Sequence, residues 1–340
     1  LSQLLPTLAT PADGVPAVLA TGPVVTAHGP RRRIGQSELS VFPLAIGGNV
    51  FGWTADSAST NGILDEYSEH GGNFVDTADS YAGGRSEIMI GNWMRAKRNR
   101  SSIVIGTKIG KSADHPGVSA RNIAPAVTAS LFRLNTDYID LLYLHIDDPE
   151  VPFEETLLAV DDLIRSGKVR HFGVSDHSAN RLVEARVIAA QLGVAPMVAV
   201  QNHYNLMHRR ELEGDLARVA DQLRLGVLPR FALASGFLTG KYRSRADLRG
   251  NERGGEAAGH LNKRGLRILG VLDAIVAEQH ALGVTEATVA SVSLAWLLSK
   301  PNVVAPVASA SRPDQVADLI GAATLRLGRA QLAALDRVSA

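Results

Sequence analysis

Two proton-handling side chains, Asp76 and Tyr81, stand five residues apart in the stretch VDTADSYAGGRSE (75–87), directly after the apolar run NFV. A carboxylate and a phenol held at the end of a strand can position and transfer protons. Lys108 closes the run IVIGTK and His145 closes YIDLLYLH, so an ammonium and an imidazole occupy equivalent places further along the chain. Ser175-Asp176 follow HFGV, and Gln201-Asn202 follow MVAV. Each residue also has a structural reading. A strand-end Asp or Lys is commonly a solvated loop residue, His145 a satisfied buried histidine, and Tyr81 a packing partner for Trp93. Asp79 reads as a solvated loop carboxylate. The chemical reading requires one architecture that brings these strand ends to a single mouth.

The segments around them supply that architecture. Short runs rich in Val, Ile and Leu (FPLAIGG, NFVDT, IVIGTK, YIDLLYLH, HFGVS, MVAVQN, GVLPRFAL and NVVAPVA) alternate with helix-like segments such as PFEETLLAVDDLIRSG and ANRLVEARVIAAQLG. Strands apolar on both sides, alternating with helices, predict a parallel sheet covered on both faces. Eight such units predict a closed (β/α)8 TIM barrel, whose chemistry sits at the C-terminal strand ends. Residues Arg31–Val41 predict a hairpin across the barrel floor, so the chain divides into a barrel domain (31–340) and an irregular N-terminal arm or leader (1–30). That arm holds five prolines and neither the basic start nor the unbroken apolar core of a signal peptide. Beginning at Leu1 rather than Met, it reads as a trimmed form. A doubly wound nucleotide-binding sheet would need a G-x-G-x-x-G turn after a strand, and the chain has none. GTKIGKS and GFLTGKY each place three residues between glycines where a P-loop needs four.

Bulk properties bound the function. A chain of 340 residues with net charge +1 offers no polyanion-binding surface, which argues against nucleic acid. No apolar run is long enough to span a bilayer. Zero cysteine excludes disulfides and thiolate chemistry and fits a cytoplasmic enzyme.

The motifs FVDTADSYAGGRSE, IGTK, LLYLHIDDP, SGKVRHFGVSDHSANRL, VQNHYNLMHRR, ALASGFLTGKYR and ASASRPDQVADL resemble the aldo-keto reductase family, in family order from about Arg31 to the end. The resemblance implies a (β/α)8 barrel that binds NADPH/NADP+ without a Rossmann fold and reduces a small-molecule carbonyl: an aldehyde, ketone or keto-sugar. The family's catalytic tetrad falls on Asp76, Tyr81, Lys108 and His145. Hydride addition to a carbonyl leaves an alkoxide that needs a proton, and a phenol of pKa about 10 gives one reluctantly. An ammonium at ~4 Å contributes about 4 kcal/mol at an effective dielectric near 20, roughly three pKa units before desolvation. On this reading Lys108 brings Tyr81 toward neutrality, Asp76 holds Lys108, and His145 orients the carbonyl.

The same resemblance implies cofactor contacts. Ser175, Asp176 and Gln201 match positions that bind the nicotinamide carboxamide. Leu233, Ser235, Gly236, Leu238, Gly240 and Lys241 match a loop over the pyrophosphate, where glycines would admit backbone amides to phosphate. Ser309, Ser311, Arg312 and Gln315 match the segment that binds the 2′-phosphate at a helix start, and Gly48 and Asn49 match first-strand contacts. Arg312 implies NADPH over NADH. Three positions depart from the pattern: Asp176 where the family has Asn, Arg230 where it has an aromatic residue stacked on the nicotinamide, and Leu319 where many relatives carry Asn. A carboxylate accepts from the carboxamide NH2 but cannot donate to its oxygen. A guanidinium stacks but should disfavour the cationic oxidised ring, unless Phe231 takes the stacking place. Phe51 and Trp53 are expected to wall the substrate pocket, and Arg243–Gly265 reads as a long mobile loop. The rivals are a metal site on His145, Asp147, Asp148 and His171, a Schiff-base aldolase using Lys108, and a non-catalytic NADPH-binding partner similar to potassium-channel β subunits. No metal is expected, and a homo-oligomer stays open, with the arm packing across its interface.

Overall fold

The computed structural model describes residues 24–26 and 29–340. Most of the segment 1–30 therefore lies outside the described residues. Within it, β1 (Val24–Thr26) pairs antiparallel with β2 (Gly29–Arg33). β2 pairs in turn with β3 (Ser40–Val41), Arg32 opposite Val41, which is the expected floor hairpin. Its turn needs Gly35, at φ +53°, where a Cβ would lie 2.2 Å from the Val198 carbonyl oxygen. The hairpin presses that closely because Ile34, Leu39 and Val41 are buried against Phe74, Leu141, Tyr143, Val198 and Leu228 inside the barrel.

Eight parallel strands follow: β4 (Ala45–Gly47), β5 (Phe74–Asp76), β6 (Val104–Ile109), β7 (Ile139–Leu144), β8 (Val169–Ser175), β9 (Ala199–Gln201), β10 (Gly226–Val227) and β11 (Val307–Ala308). From β4 to β10 each pairs with the next in sequence, and β11 pairs with β4. The ring closes between β10 and the segment before β11. Val227 bridges Val303, Val304 N donates to Val227 O at 2.9 Å, and Val307 N to Pro229 O at 2.8 Å. All eight predicted strands are present, as a (β/α)8 barrel. β10 stops at Val227, short of the expected GVLPRFAL, because Pro229 has no N–H for a ladder.

The helices α1 (Ser57–Glu69), α2 (Arg85–Lys97), α3 (Ala120–Leu134), α4 (Phe153–Arg165), α5 (Ala179–Leu192) and α6 (Asp215–Gln222) surround the barrel. Asp56 caps α1 by accepting from Ser59 N at 2.8 Å, and Ser178 caps α5. The stretch 243–265, expected as a long mobile loop, is not loop throughout. It carries a short turn and the five-residue α7 (Gly254–Ala258), with Arg243 paired bidentately to Asp273 at 2.7 Å. It leads into α8 (Lys263–Ala281), α9 (Val289–Leu298), α10 (Val316–Ile320) and α11 (Arg329–Ser339). α9 is apolar and buried nearly all round, as a helix wedged between barrel and outer layer must be. Among the described residues no helix is long and apolar enough to cross a membrane.

Candidate active site

Parallel pairing in register brings the strand ends level. Asp76 ends β5, opposite Gly47 and Gly106, and Lys108 lies in β6 opposite Tyr143. His145 follows β7, and Ser175 and Gln201 face each other at the ends of β8 and β9. Lys108 Nζ donates to Asp76 Oδ1 and, at 2.9 Å, to Thr77 O. Gln201 Nε2 donates to Asp76 Oδ2 at 2.8 Å, so both carboxylate oxygens are fixed. Tyr81 opens a short turn (Tyr81–Gly84) in which Ala82, Gly83 and Gly84 all have positive φ. This tight reversal points the ring back over the strand ends. Its ring meets His145 edge-on, centroids 6.0 Å apart, with Lys108 Nζ 5.2 Å from its centroid. The four tetrad residues are thus brought together; Tyr81 does not pack on Trp93, whose indole N–H donates to Asp65.

The electrostatics correct one expectation. Burial raises the Tyr81 pKa above its ordinary value; Lys108 pulls it down, but Asp76 pushes it back up. Asp76 neutralises the ammonium meant to acidify the phenol, so Tyr81 is held as a neutral O–H donor rather than brought near neutrality. Burial alone would lower the Lys108 pKa, yet Asp76 and Tyr81 raise it overall, so it stays an ammonium. His145 is pushed down to about 2, first by burial and then by Lys108, Lys111 and Arg230. It is a neutral imidazole, with a buried Nδ1 that has no partner among the described residues.

A cleft of about 670 Å³ runs from these groups to the start of α10. Asn49, Asp76, Tyr81, His145, Asp176, Gln201, Arg230, Phe231, Leu233, Ser235, Gly236, Lys241, Ser309, Ser311, Arg312 and Gln315 all line it. Other expected site residues do not. Phe51 is 0% exposed in the hydrophobic core behind the cleft, whereas Trp53 is 50% exposed with the Arg253 guanidinium 5.3 Å over its ring. Leu238 is also core, its N–H donated to Leu233 O and its carbonyl accepting from Ser293 Oγ, so nothing of it is left for phosphate. The amides of Gly236 and Gly240 donate to Leu233 O and Phe237 O. These glycines supply left-handed turns (φ +85° and +80°) rather than free amides. Ala234 and Ser235 share that strained conformation, at φ +49° and +54°. Gly48 is buried beneath the cleft, its carbonyl accepting from Ser86 Oγ, and Asn49 Oδ1 accepts from Ser309 Oγ at 2.5 Å. Asp79 is not solvated. It is 3% exposed, accepts from Gly110 N at 3.2 Å, and burial followed by repulsion from Glu87 pushes it up to about 6.

The departures at 176 and 230 are partners. Arg230 Nε donates to Asp176 Oδ1 at 2.8 Å, so the guanidinium enters the cleft already balanced by a carboxylate. At the far end Arg312 is held bidentately by Asp314 at 3.0 Å, and Asp318 lines the same wall. The residues named for a rival metal site are dispersed: His171 pairs with Glu38 at 2.9 Å and Asp147 with Arg181 at 2.9 Å. His203, His208 and Glu211 do cluster. The two imidazoles, however, stack 3.9 Å apart at 10°, so their planes do not meet within metal–ligand bonding distance of both rings. Sequence reasoning missed Lys111, Arg253, Asp314 and Asp318 as cleft residues. Lys111 was visible only as part of the rejected phosphate-loop match.

The cleft also fits a nicotinamide dinucleotide. Ser175 Oγ, at the end of β8 opposite Gln201, is buried without a partner among the described residues, as a group awaiting an amide would be. Lys241 and Arg312 line the cleft's other end, and a Cβ on Gly47 would collide with Ser309 Oγ at 2.6 Å.

Barrel, buried Lys–Asp pair, phenol and neutral imidazole together form the arrangement expected of a barrel-type oxidoreductase. The Aldo/keto reductase family model matches residues 43–340, and the chain belongs to that family. It is 34% identical over 292 residues to a probable voltage-gated potassium channel subunit beta of Arabidopsis thaliana, covering 84% of this chain and 88% of that one. It is 31% identical over 313 residues to norsolorinic acid reductase A of Aspergillus parasiticus, covering 87% and 77%.

Proposed function

We propose that the protein is a cytoplasmic NADPH-dependent reductase of small carbonyl compounds, with Tyr81 as the general acid. The observation that carries this reading is the buried Lys108–Asp76 pair under a phenol whose ring meets a neutral His145. The bound reduced nicotinamide would supply the hydride. His145, neutral because buried among cations, donates a hydrogen bond to the carbonyl oxygen without giving up a proton. Tyr81 O–H transfers its proton to that oxygen as negative charge develops there, and the Lys108 ammonium, fixed by Asp76, stabilises the phenolate left behind. Ser175, Asp176 and Gln201 would orient the carboxamide, with the partnerless Ser175 hydroxyl as its donor. Lys241 and Arg312 would take the phosphates, and Arg312 must exchange Asp314 for the 2′-phosphate to do so. Mixing protein with NADPH or NADH and 4-nitrobenzaldehyde tests the reading. NADPH consumption with kcat/KM above that for NADH is expected, and equal or better use of NADH would refute the NADPH assignment.

A second reading, a cofactor-binding regulatory partner, is favoured by the likeness to the channel-subunit relative. It predicts tight NADPH binding with no turnover on any carbonyl.

A further inference from the structure

Lys111 lies two residues beyond β6, and its side chain lines the cleft beside Tyr81, His145 and Arg230. It makes no ion pair or hydrogen bond with any described residue; its influences there are burial and the charges of Asp176, Arg230 and Lys108. Arg230 is anchored through Nε alone, to Asp176 Oδ1 at 2.8 Å, with its guanidinium carbon 4.8 Å from the Phe231 ring centroid. Its Nη1 and Nη2 carry four N–H donors without a partner among the described residues. Around the reaction centre, Asp76 offsets Lys108, and Asp176 is bonded to Arg230 while also facing Lys111, which leaves a net positive charge among these five groups. Tyr81 and His145 are both neutral and serve the carbonyl oxygen, so neither competes for an anion.

Resting on the reductase reading, we propose that Lys111 and the free Nη edge of Arg230 form an anion-recognition pair at the substrate end of the cleft. The preferred substrates are then carbonyl compounds that also carry a carboxylate. A guanidinium edge binds carboxylate through two parallel hydrogen bonds, and an ammonium adds a point charge that adapts to the span. Asp176 acts on Arg230 as a positioning residue: bonding Nε fixes the rotamer while leaving the bidentate edge free. The same cations disfavour carbonyl compounds that bear an ammonium group.

The test is kcat/KM at saturating NADPH for 4-carboxybenzaldehyde against methyl 4-formylbenzoate, and for the matching 3-substituted pair. Within each pair the ester removes the charge but also adds a methyl group and withdraws electrons more strongly, so each ratio is read against the same ratio in Lys111→Met. A charge-assisted contact predicts a preference of about 10- to 100-fold for the carboxylate in at least one pair, shrinking with added salt. Lys111→Met should collapse the ratio toward one, mainly through KM. Esters reduced as well as the acids, or a ratio that Lys111→Met does not move, would overturn the proposal. If Lys111→Met does not fold, Lys111→Gln and the salt dependence decide the same question. If neither aldehyde is reduced, the reductase reading fails instead, and calorimetric titration with terephthalate tests the anion site alone. Saturable binding weakened in Lys111→Gln would sustain it, and no binding would sink it.

Discussion

At the strand mouths, Asp76 and Lys108 are each 1% exposed, and each is held by two partners. At the far end of the same cleft, the Arg312 side chain is 63% exposed and rests on one equally exposed carboxylate, Asp314. The contrast separates two demands. Proton transfer needs donors and charges fixed before the substrate arrives, which only a water-excluded, fully bonded site provides. The proposed role of Arg312 in gripping a phosphate tolerates a surface pair that opens at little cost, because exposed ion pairs contribute about 0–1 kcal/mol.

Breaking the buried end should have the largest effect. Lys108→Met leaves Asp76 with a buried, unbalanced charge that keeps only the hydrogen bond from Gln201. Unfolding free energy should fall by about 3–5 kcal/mol and reductase turnover by at least a thousandfold. Chemical denaturation and steady-state kinetics would check both. A loss under 1 kcal/mol would mean that the pair is looser than its geometry indicates.

Asp79 sharpens the same point, since its carboxylate makes no bond to a tetrad side chain and only its backbone N–H reaches Lys108 O, at 2.9 Å. Its carboxyl is raised to about 6 from an ordinary value near 4, a gap of about 3 kcal/mol at most. A raised carboxyl favours the folded state while protonated, so that contribution is present below about pH 4 and is lost as pH rises to about 6. Asp79→Asn should therefore gain stability relative to wild type on going from pH 4 to pH 8. A pH-independent difference in melting temperature would contradict it.

At the exposed end, Arg312→Ala should weaken NADPH about 10- to 100-fold while changing NADH little. Asp314→Ala, which frees Arg312, should tighten NADPH by no more than about fivefold. Nucleotide titration by fluorescence reads both, and parallel losses for NADPH and NADH in Arg312→Ala would remove Arg312 from 2′-phosphate recognition. The smallest effect expected is on pH dependence. With His145 held down at about 2, kcat/KM for reduction should show no limb from it between pH 5 and 8.

The comparison also explains what the sequence made legible. Strand-end residue types and the β–α rhythm made the barrel and its hairpin floor legible, and strand register levels Asp76, Lys108 and His145. The tetrad reading came with the family resemblance, and Tyr81 reaches the site through its turn rather than through register. Partnerships across the fold were not legible. Asp176 and Arg230, 54 residues apart, are one ion pair, and each looked anomalous when read alone. Phe51 and Trp53 share one loop and one chemistry, yet only packing decides that the first is core and the second rim. Asp79 looked like any loop acid until Gly110 and Glu87 enclosed it. Glu87, fully buried between Thr107 and Arg133 at 2.6 Å each, gave no sequence signal beyond a helix start.

The most direct test of the account is Tyr81→Phe, comparing NADPH binding by fluorescence with single-turnover reduction of 4-nitrobenzaldehyde. The account predicts an NADPH Kd within about threefold of wild type and a hydride-transfer rate lower by at least a hundredfold. Unchanged single-turnover reduction would contradict the assignment of Tyr81 as the proton donor.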